Sequence, residues 1–324
     1  MKKLKLSLII PSNANNSELN SFLFPFCKWK ILPSEIILVN INKKIELNRF
    51  ILSFFKKEKI KLIILNKVGA YPGAARNIAI KASNYKILAF LDTSIIADNL
   101  WLEYGYNKII NEKYDLVFGK TLYLTNTNKD KVILASTYGF KPIATLPGSI
   151  LNKEIFSLTG IFLENIRAGE DAEWLYRLSM HKIRKCFNSK IIYYKNLKGK
   201  TYIFFLKKWF RNYSYSKKLS YLNNSKELYF IFLSLVLFIL SFSWNSFVSN
   251  WSMNDPFYIP HVTKLTIISI LLLYFFIRTI FVPFKKGVNF NFLLKNSFPR
   301  ILIFSLLLDI AKCLAFISSK FKKK

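Results

Sequence analysis

The chain has 324 residues, 52% of them hydrophobic and 17% aromatic, and its 49 Lys and Arg against 18 Asp and Glu give a formal charge of +31. That length holds one sizeable soluble domain plus a membrane module. Such a charge invites nucleic acid, but the basic residues are overwhelmingly Lys and no nucleic-acid fold signature is present, so nucleic acid is excluded as a partner. The basic clusters that stand out (Lys207, Lys208, Arg211, Lys217, Lys218, and Lys322 to Lys324) flank apolar segments. There they would face anionic lipid, at about 1 kcal/mol each near the surface. Cys27, Cys186 and Cys313 lie far apart and are odd in number, without CxxC or Cys/His ligand spacing, which excludes a disulfide framework and a zinc site.

The lead "MKKLKLSLIIPSN" has too short an apolar run before Pro11 for a signal-peptide core, and it reads as a first β-strand. Up to about residue 100, strands alternate with helical segments: "KLSLIIP", "SEIILVN", "KLIILN" and "YKILAFLD" are short runs, apolar on both faces, that end in Pro, Asn or Asp. Such runs separated by helices predict a mostly parallel sheet. From about 101 to 200 the order is mixed. "NLWLEYGYNKII" reads as a helix capped by Asp98 or Asn99, "YDLVFGKTLYL" and "KVILAS" as strands, "GEDAEWLYRLSM" as a helix and "KIIYY" as a closing strand.

Residues 201–226 interleave aromatics with cations. Phe205, Trp209 and Tyr213 recur every four residues beside Lys208 and Arg211. This pattern predicts a helix in the headgroup layer, with Trp209 and Arg211 at the membrane interface, or else a core-packing helix of the soluble domain. A span is expected at about 228–251, free of charge, and a second at about 265–284, with Arg278 toward one end. The loop between them has no Lys or Arg while both outer flanks are basic, so the loop should face out and the soluble domain the cytosol. The last apolar run, 301–319, carries Asp309 and Lys312 on one helical face and ends in "KFKKK". Crossing would export that tail, so an in-plane or re-entrant helix that keeps both charges wet is expected over a third span.

Four places carry possible chemistry. Asp92 ends the strand "ILAFL", where an acid can coordinate a divalent ion that holds a nucleotide diphosphate; on position alone it is equally a turn or capping residue. Asp98 reads as a helix cap. Glu170 and Asp171 open a helix after Gly169, either as acids favoured by the helix dipole or as a general base. "GAYPGAARNIAI" places glycines and a proline before a helix with Arg76 and Asn77, a start that suits phosphate, though its glycine spacing is neither a Walker nor a dinucleotide fingerprint. His181 and His261 have no partners at ligand spacing and read as structural.

In their order, "LSLIIPSNAN", "SEIILVN", "GAYPGAARNIAI", "ILAFLDTSIIADNLWLE" and "PGSILNKEIFSLTGIFLENIRAGEDAEWLYRL" resemble the family 2 glycosyltransferases of the GT-A fold, over roughly residues 5–200. The resemblance implies an α/β, Rossmann-like mixed-sheet domain followed here by C-terminal transmembrane helices. It implies an inverting, single-displacement transfer from a nucleotide-sugar. By position, Pro11 and Asn13 would line the nucleotide pocket and Arg76 and Asn77 the donor helix. Asp92 would match the first acid of the DxD motif, binding Mg²⁺ or Mn²⁺, and Asp171 the catalytic base of the ED pair that it forms with Glu170. Ser94 stands where the second DxD acid is expected, which weakens or rearranges metal binding. Strand two ends "ILVNIN" without an acid, so Asn40 or Asn42 would meet the nucleobase or ribose. "KKWFRN" lacks the order seen in processive synthases, which argues for one sugar per acceptor. The expected activity is transfer to a membrane-associated, lipid-linked acceptor in envelope glycan synthesis, at a bacterial-type plasma membrane with the catalytic domain cytosolic. The rival is a catalytically inactive GT-A-fold scaffold or partner subunit, with Ser94 and the missing strand-two acid as marks of decay.

Overall fold

The computed structural model describes residues 1–42, 45–97, 99–195, 197, 199–215, 218–219, 236, 261–294 and 298–321. They form two compact units, one of Met1–Thr125 with Pro142–Lys198, the other of Asn126–Lys141 with Gly199–Lys324.

The first unit is an eight-stranded mixed sheet, the GT-A type of α/β fold. In chain order it comprises β1 (Lys2–Ser12), α1 (Asn16–Leu23), β2 (Ile31–Asn40), α2 (Arg49–Lys57), β3 (Lys61–Asn66), α3 (Pro72–Ala82), β4 (Ile87–Phe90), β5 (Ile95–Ile96), α4 (Asn99–Glu112) and β6 (Leu116–Tyr123). After α5 (Asn128–Ser136), which belongs to the second unit, follow β7 (Ile143–Asn152), α6 (Ile155–Thr159), α7 (Glu170–Ser179) and β8 (Lys185–Tyr194). The strand order is β3-β2-β1-β4-β7-β6-β8-β5. β1 to β4 are parallel, and β7 turns antiparallel against both β4 and β6.

The unbroken apolar runs follow from cover on both faces. Leu8, Ile10, Ile36 and Leu38 point to a core shared with α1, α2 and α4, whereas Ile9, Ile37 and Val39 meet Ala75 and Ala79 of α3 and Trp174 and Leu178 of α7. A carboxylate is buried in this core as well. Glu35 is fully buried; its Oε2 accepts from Ser7 Oγ at 2.5 Å and from the Asn84 backbone N–H at 3.0 Å, and its Oε1 accepts from Asn84 Nδ2, which satisfies both oxygens.

One expected strand is a helix. "KVILAS" lies in α5, whose start is a capping box: Thr127 accepts from the Asp130 N–H, and Asp130 accepts from the Thr127 N–H. β7 went unrecognised as a strand, because Pro147 and Gly148 break its pattern.

In the second unit, α8 (Tyr202–Tyr213) is capped by Thr201, and further helices cover His261–Phe276, Val282–Lys285, Phe290–Leu294 and Phe298–Phe321, with a π-helical turn over Ile277–Phe281. Two stretches, Ile268–Lys285 and Phe298–Ser319, are long and apolar enough to cross a membrane. The expected span at 228–251 lies outside the described residues, apart from Val236, as do Asp98 and Lys322 to Lys324.

The ring stripe of α8 turns inward: Phe205 is buried, and Lys312 from the Phe298–Phe321 helix sits 5.3 Å from the Trp209 ring centroid. The apolar side chains that α8 leaves exposed are Ile203, Phe204 and Phe210. The expectation that Asp309 and Lys312 stay wet is not met. Asp309 is 0% and Lys312 6% exposed, and Asp309 accepts from Tyr274 Oη, Arg278 Nε and Nη2, and Lys312 Nζ at 2.6–3.1 Å. Those donors, three of them from the preceding helical segment, compensate the lost hydration.

Candidate functional site

Parallel strands deliver their ends to one edge, where open α/β sheets bind ligands. The ends of β1, β2 and β3 are tied there by asparagines. Asn40 is fully buried, donates to Asn66 Oδ1 and the Asn42 carbonyl, and accepts from the Asn42 N–H, all at 3.2 Å. Asn42 Nδ2 donates to the Asn13 carbonyl. Asn13 and Asn42 are exposed and Pro11 half-buried, so the surface at these strand ends comes from them while Asn40 braces them from beneath.

β4 ends at the same edge. Leu91 N–H donates to the Ile9 carbonyl at 3.0 Å, and the next residue, Asp92, has a side chain 30% exposed. Ser94 is half-buried, and its carbonyl accepts from the Lys195 N–H.

α3 opens with Pro72 at its first position, where the missing N–H costs nothing. Gly73 follows because nothing larger fits: a Cβ there would stand 2.1 Å from the Leu163 carbonyl oxygen. One turn later come Arg76 and Asn77, 4% and 1% exposed. Asn77 Nδ2 donates to the Phe162 carbonyl at 2.9 Å and to Glu164 Oε1 at 2.8 Å, while its Oδ1 accepts from the Phe162 N–H at 3.0 Å. Asn77 therefore fixes the 162–164 wall and keeps no group turned to solvent.

Arg76 joins two of the three acids. Its Nη1 donates to Glu170 Oε1 at 2.6 Å and its Nη2 to Asp92 Oδ1 at 3.3 Å. The guanidinium also lies over the Phe162 ring, 5.7 Å from its centroid. α7 presents its acids because Gly169 turns the chain at φ 87°, a left-handed conformation that favours glycine. Glu170 points inward and is buried. Asp171 is half-exposed, and its Oδ1 accepts from the Ala172 N–H at 2.8 Å. The helix is anchored behind: Trp174 Nε1 donates to Thr159 Oγ1 at 3.0 Å, and Arg177 donates to the carbonyls of Thr159 and Ile161.

Burial raises the pKa of Asp92; the Arg76 charge opposes that and Asp171 adds to it. Glu170 is raised for the same reasons. For Arg76, burial favours the neutral form, but Asp92, Glu170 and Asp171 together outweigh it and keep the guanidinium charged. One cation thus stands among three acids. Asp92 and Asp171 each keep an oxygen with no partner among the described residues, whereas the nearer oxygen of Glu170 is held by Arg76.

The structure thus brings Arg76, Asp92, Glu170 and Asp171 together and leaves Asn77 and Asn40 as internal braces. Phe162 and Glu164 were missed. No local signal marks either, since Glu164 is 87 residues from Asn77.

The family model of Glycosyl transferase family 2 matches residues 7–164, a span that includes Arg76, Asn77 and Asp92 and stops before Glu170. No curated protein sequence matches the chain. Among solved structures, S. aureus TarS 1–349 is similar at 14% identity and a TM-score of 0.45, covering 98% of this chain and 91% of that one. The same protein in complex with UDP-GlcNAc gives 16% identity, a TM-score of 0.45, and 98% and 92% coverage. The mannosyltransferase PcManGT from Pyrobaculum calidifontis, in complex with GDP-Man and Mn²⁺, gives 9% identity, a TM-score of 0.49, and 97% and 87% coverage. These likenesses are loose.

Proposed function

We propose that the chain is an inverting glycosyltransferase that moves one sugar from a nucleotide-sugar donor to a membrane-associated, lipid-linked acceptor in envelope glycan synthesis. The observation that supports this most is the gathering of Asp92 and Asp171 around Arg76 at the sheet edge, each with an oxygen left open. Asp171 takes the general-base role: its open oxygen accepts the acceptor hydroxyl's proton as that oxygen attacks the anomeric carbon. Glu170, held by Arg76, is the positioning member of the pair. Pro11, Asn13 and Asn42 offer the nucleotide its surface at the ends of β1 and β2.

Mg²⁺ or Mn²⁺ is tested by its donors. Among the described residues no three His, Cys, Asp or Glu side chains stand together as a ready cation site. Asp92 with Ser94 suits an ion that arrives on the diphosphate, since magnesium is commonly bound by one or two carboxylates plus substrate phosphates. When bound, the ion would neutralise the departing diphosphate.

The membrane placement rests on two apolar stretches of sequence, about 228–251 and 265–284, the second overlapping the helical stretch Ile268–Lys285, with basic flanks outside them and a loop free of Lys and Arg between them. We place that loop outside, and the sheet unit and the C-terminal lysines on the cytosolic side of a plasma membrane, with anionic lipid against the basic clusters. Cysteine labelling of intact cells tests this: Ser252→Cys should react from outside and Lys323→Cys should not. Reaction of Lys323→Cys from outside would make the 298–321 helix a further span.

The activity is tested by screening purified protein for nucleotide-sugar hydrolysis, donor by donor. Turnover of one donor, abolished by Asp171→Asn, is the expected result. Absence of turnover and of binding with every donor would favour the inactive scaffold, to which Ser94 already lends some support.

A further inference from the structure

The edge of the sheet opposite the candidate site carries a cavity that the transfer chemistry does not use. Asp92 follows β4, whereas Lys86 leads into it, and the last residue of antiparallel β7, Asn152, pairs with Ile87 at that same far edge. There a recess of about 270 Å³ lies between residues 83–86 of the α3–β4 loop and Lys153, Glu154 and Ser157 after β7. Drug-sized ligands take pockets of about 300–1,000 Å³, so the occupant of this one is small.

The walls are fixed from within the fold. Ser83 closes α3, its Oγ donating to the Ile80 carbonyl at 2.6 Å. The buried Glu35 accepts from the Asn84 backbone N–H at 3.0 Å and from Asn84 Nδ2, and the Tyr85 N–H donates to Ser7 Oγ at 3.3 Å. A carboxylate taken out of water must be hydrogen-bonded, and two of the donors that meet this need come from Asn84, which pins the loop. Lys153 joins the two walls: its N–H donates to the Lys86 carbonyl at 2.7 Å and its Nζ to the Ser83 carbonyl at 3.0 Å. The recess is therefore formed before any ligand arrives.

Its polar groups are open. The Lys153 ammonium has two further N–H groups. The side chains of Tyr85, Lys86, Glu154 and Ser157 have no hydrogen-bond or ionic partner among the described residues. Two ammonium groups against one carboxylate leave the lining positive.

We propose that this recess binds a small phosphomonoester of a polyol, with Lys86 and Lys153 on the phosphate and Glu154, Ser157 Oγ and Tyr85 Oη on its hydroxyls. A dianionic phosphate offsets the repulsion between two ammonium groups held on one frame, and its oxygens accept from several donors at once. Glu154 makes bare phosphate the poorer ligand, because it repels an ion that brings no hydroxyl to donate to it. The site lies at the opposite strand ends from Asp92 and needs nothing from the proposed transfer.

The full chain in a phosphate-free neutral detergent is titrated with glycerol 2-phosphate, inorganic phosphate and glycerol, read by calorimetry and by the thermal midpoint. Saturable binding of glycerol 2-phosphate, tighter than that of inorganic phosphate and with none of glycerol, is the expected result. Lys86→Met should weaken it about tenfold, as loss of a hydrogen bond to a charged group does, with the unliganded midpoint unchanged because Lys86 is exposed. Glu154→Gln should narrow the preference over inorganic phosphate. Lys81→Met, which removes an exposed lysine outside the recess, should bind as wild type. Equal weakening in Lys81→Met and Lys86→Met would mean that the ligand meets only the general positive charge of the chain. That result, wild-type affinity in Lys86→Met, equal affinity for both phosphates, or no saturable binding overturns the site.

Discussion

Two arginines, Arg76 buried and Arg278 half-buried, organise the two units, and they are set in different surroundings. Arg76 stands among three acids, two of which keep an open oxygen. Arg278 and Lys312 both donate to Asp309, whose oxygens are full. Both clusters satisfy the rule that buried charge must be paired, but only the first keeps carboxylate oxygens open. An excess of carboxylate oxygen suits proton abstraction and a cation carried on a diphosphate. Burial alone does not distinguish the two clusters; the count of open carboxylate oxygens does.

The contrast is tested most severely by Asp171→Asn. Transfer should fall about 10²–10⁴-fold while donor affinity stays near wild type, because an amide cannot take the acceptor's proton yet keeps the size and helix-start packing. Normal turnover, measured with the donor the hydrolysis screen identifies, would reduce Asp171 to a helix-start acid.

Next in size is the cost of removing one partner from each cluster. Breaking a buried ion pair typically costs about 3–5 kcal/mol. Glu170→Gln should fall at the low end, since Arg76 retains Asp92. Asp309→Asn should cost more, because Lys312 then has a neutral amide oxygen and aromatic faces in place of a carboxylate. Denaturant unfolding of the full chain in one detergent compares the two, and equal losses would mean that the difference in surroundings has no energetic content.

The smallest expected effect is in pH dependence. Asp92 and Glu170 have raised pKa values, chiefly from burial. Their contribution to stability is therefore greatest below the ordinary carboxylate range and is lost as pH rises through the raised values. Donor binding runs the other way, since only ionised Asp92 can hold a cation. Affinity for the nucleotide-sugar with Mg²⁺ should rise as pH passes through the raised Asp92 value, and Asp92→Ala should bind more weakly with a flat profile. Calorimetric titration across mildly acidic pH reads this. A metal-independent wild type with the same profile as Asp92→Ala would remove Asp92 from the cation site.

The edge on which Asp92 lies was legible because β1 to β4 are apolar on both faces and end in polar residues, so burial and chain exit are written locally. The start of α7 was legible from Gly169 followed by two acids. The register of "KVILAS" was not, because a short apolar run does not distinguish a buried strand from a buried helix; the decisive signal was the Thr127–Asp130 capping box just before it. The wetness assigned to Asp309 failed for a different reason. A helix read alone offers its charges only solvent, and Arg278, 31 residues away, becomes a partner once two apolar helices pack.

What the sequence determined by itself was therefore the local content: strands with two buried faces, acids at a strand exit and a helix start, and apolar stretches long enough to cross a membrane. The tertiary structure decided which of those charges are used up inside the protein. Arg76 and Glu170 are 94 residues apart, and only packing of α3 against α7 makes one a clamp on the other and leaves Asp171 open. Asn77 and Asn40 carry the same amide as the exposed Asn13, yet burial turns them into braces. The physical reason is that a side chain's chemistry depends on its desolvation and its partners, and both are set by residues distant in the chain.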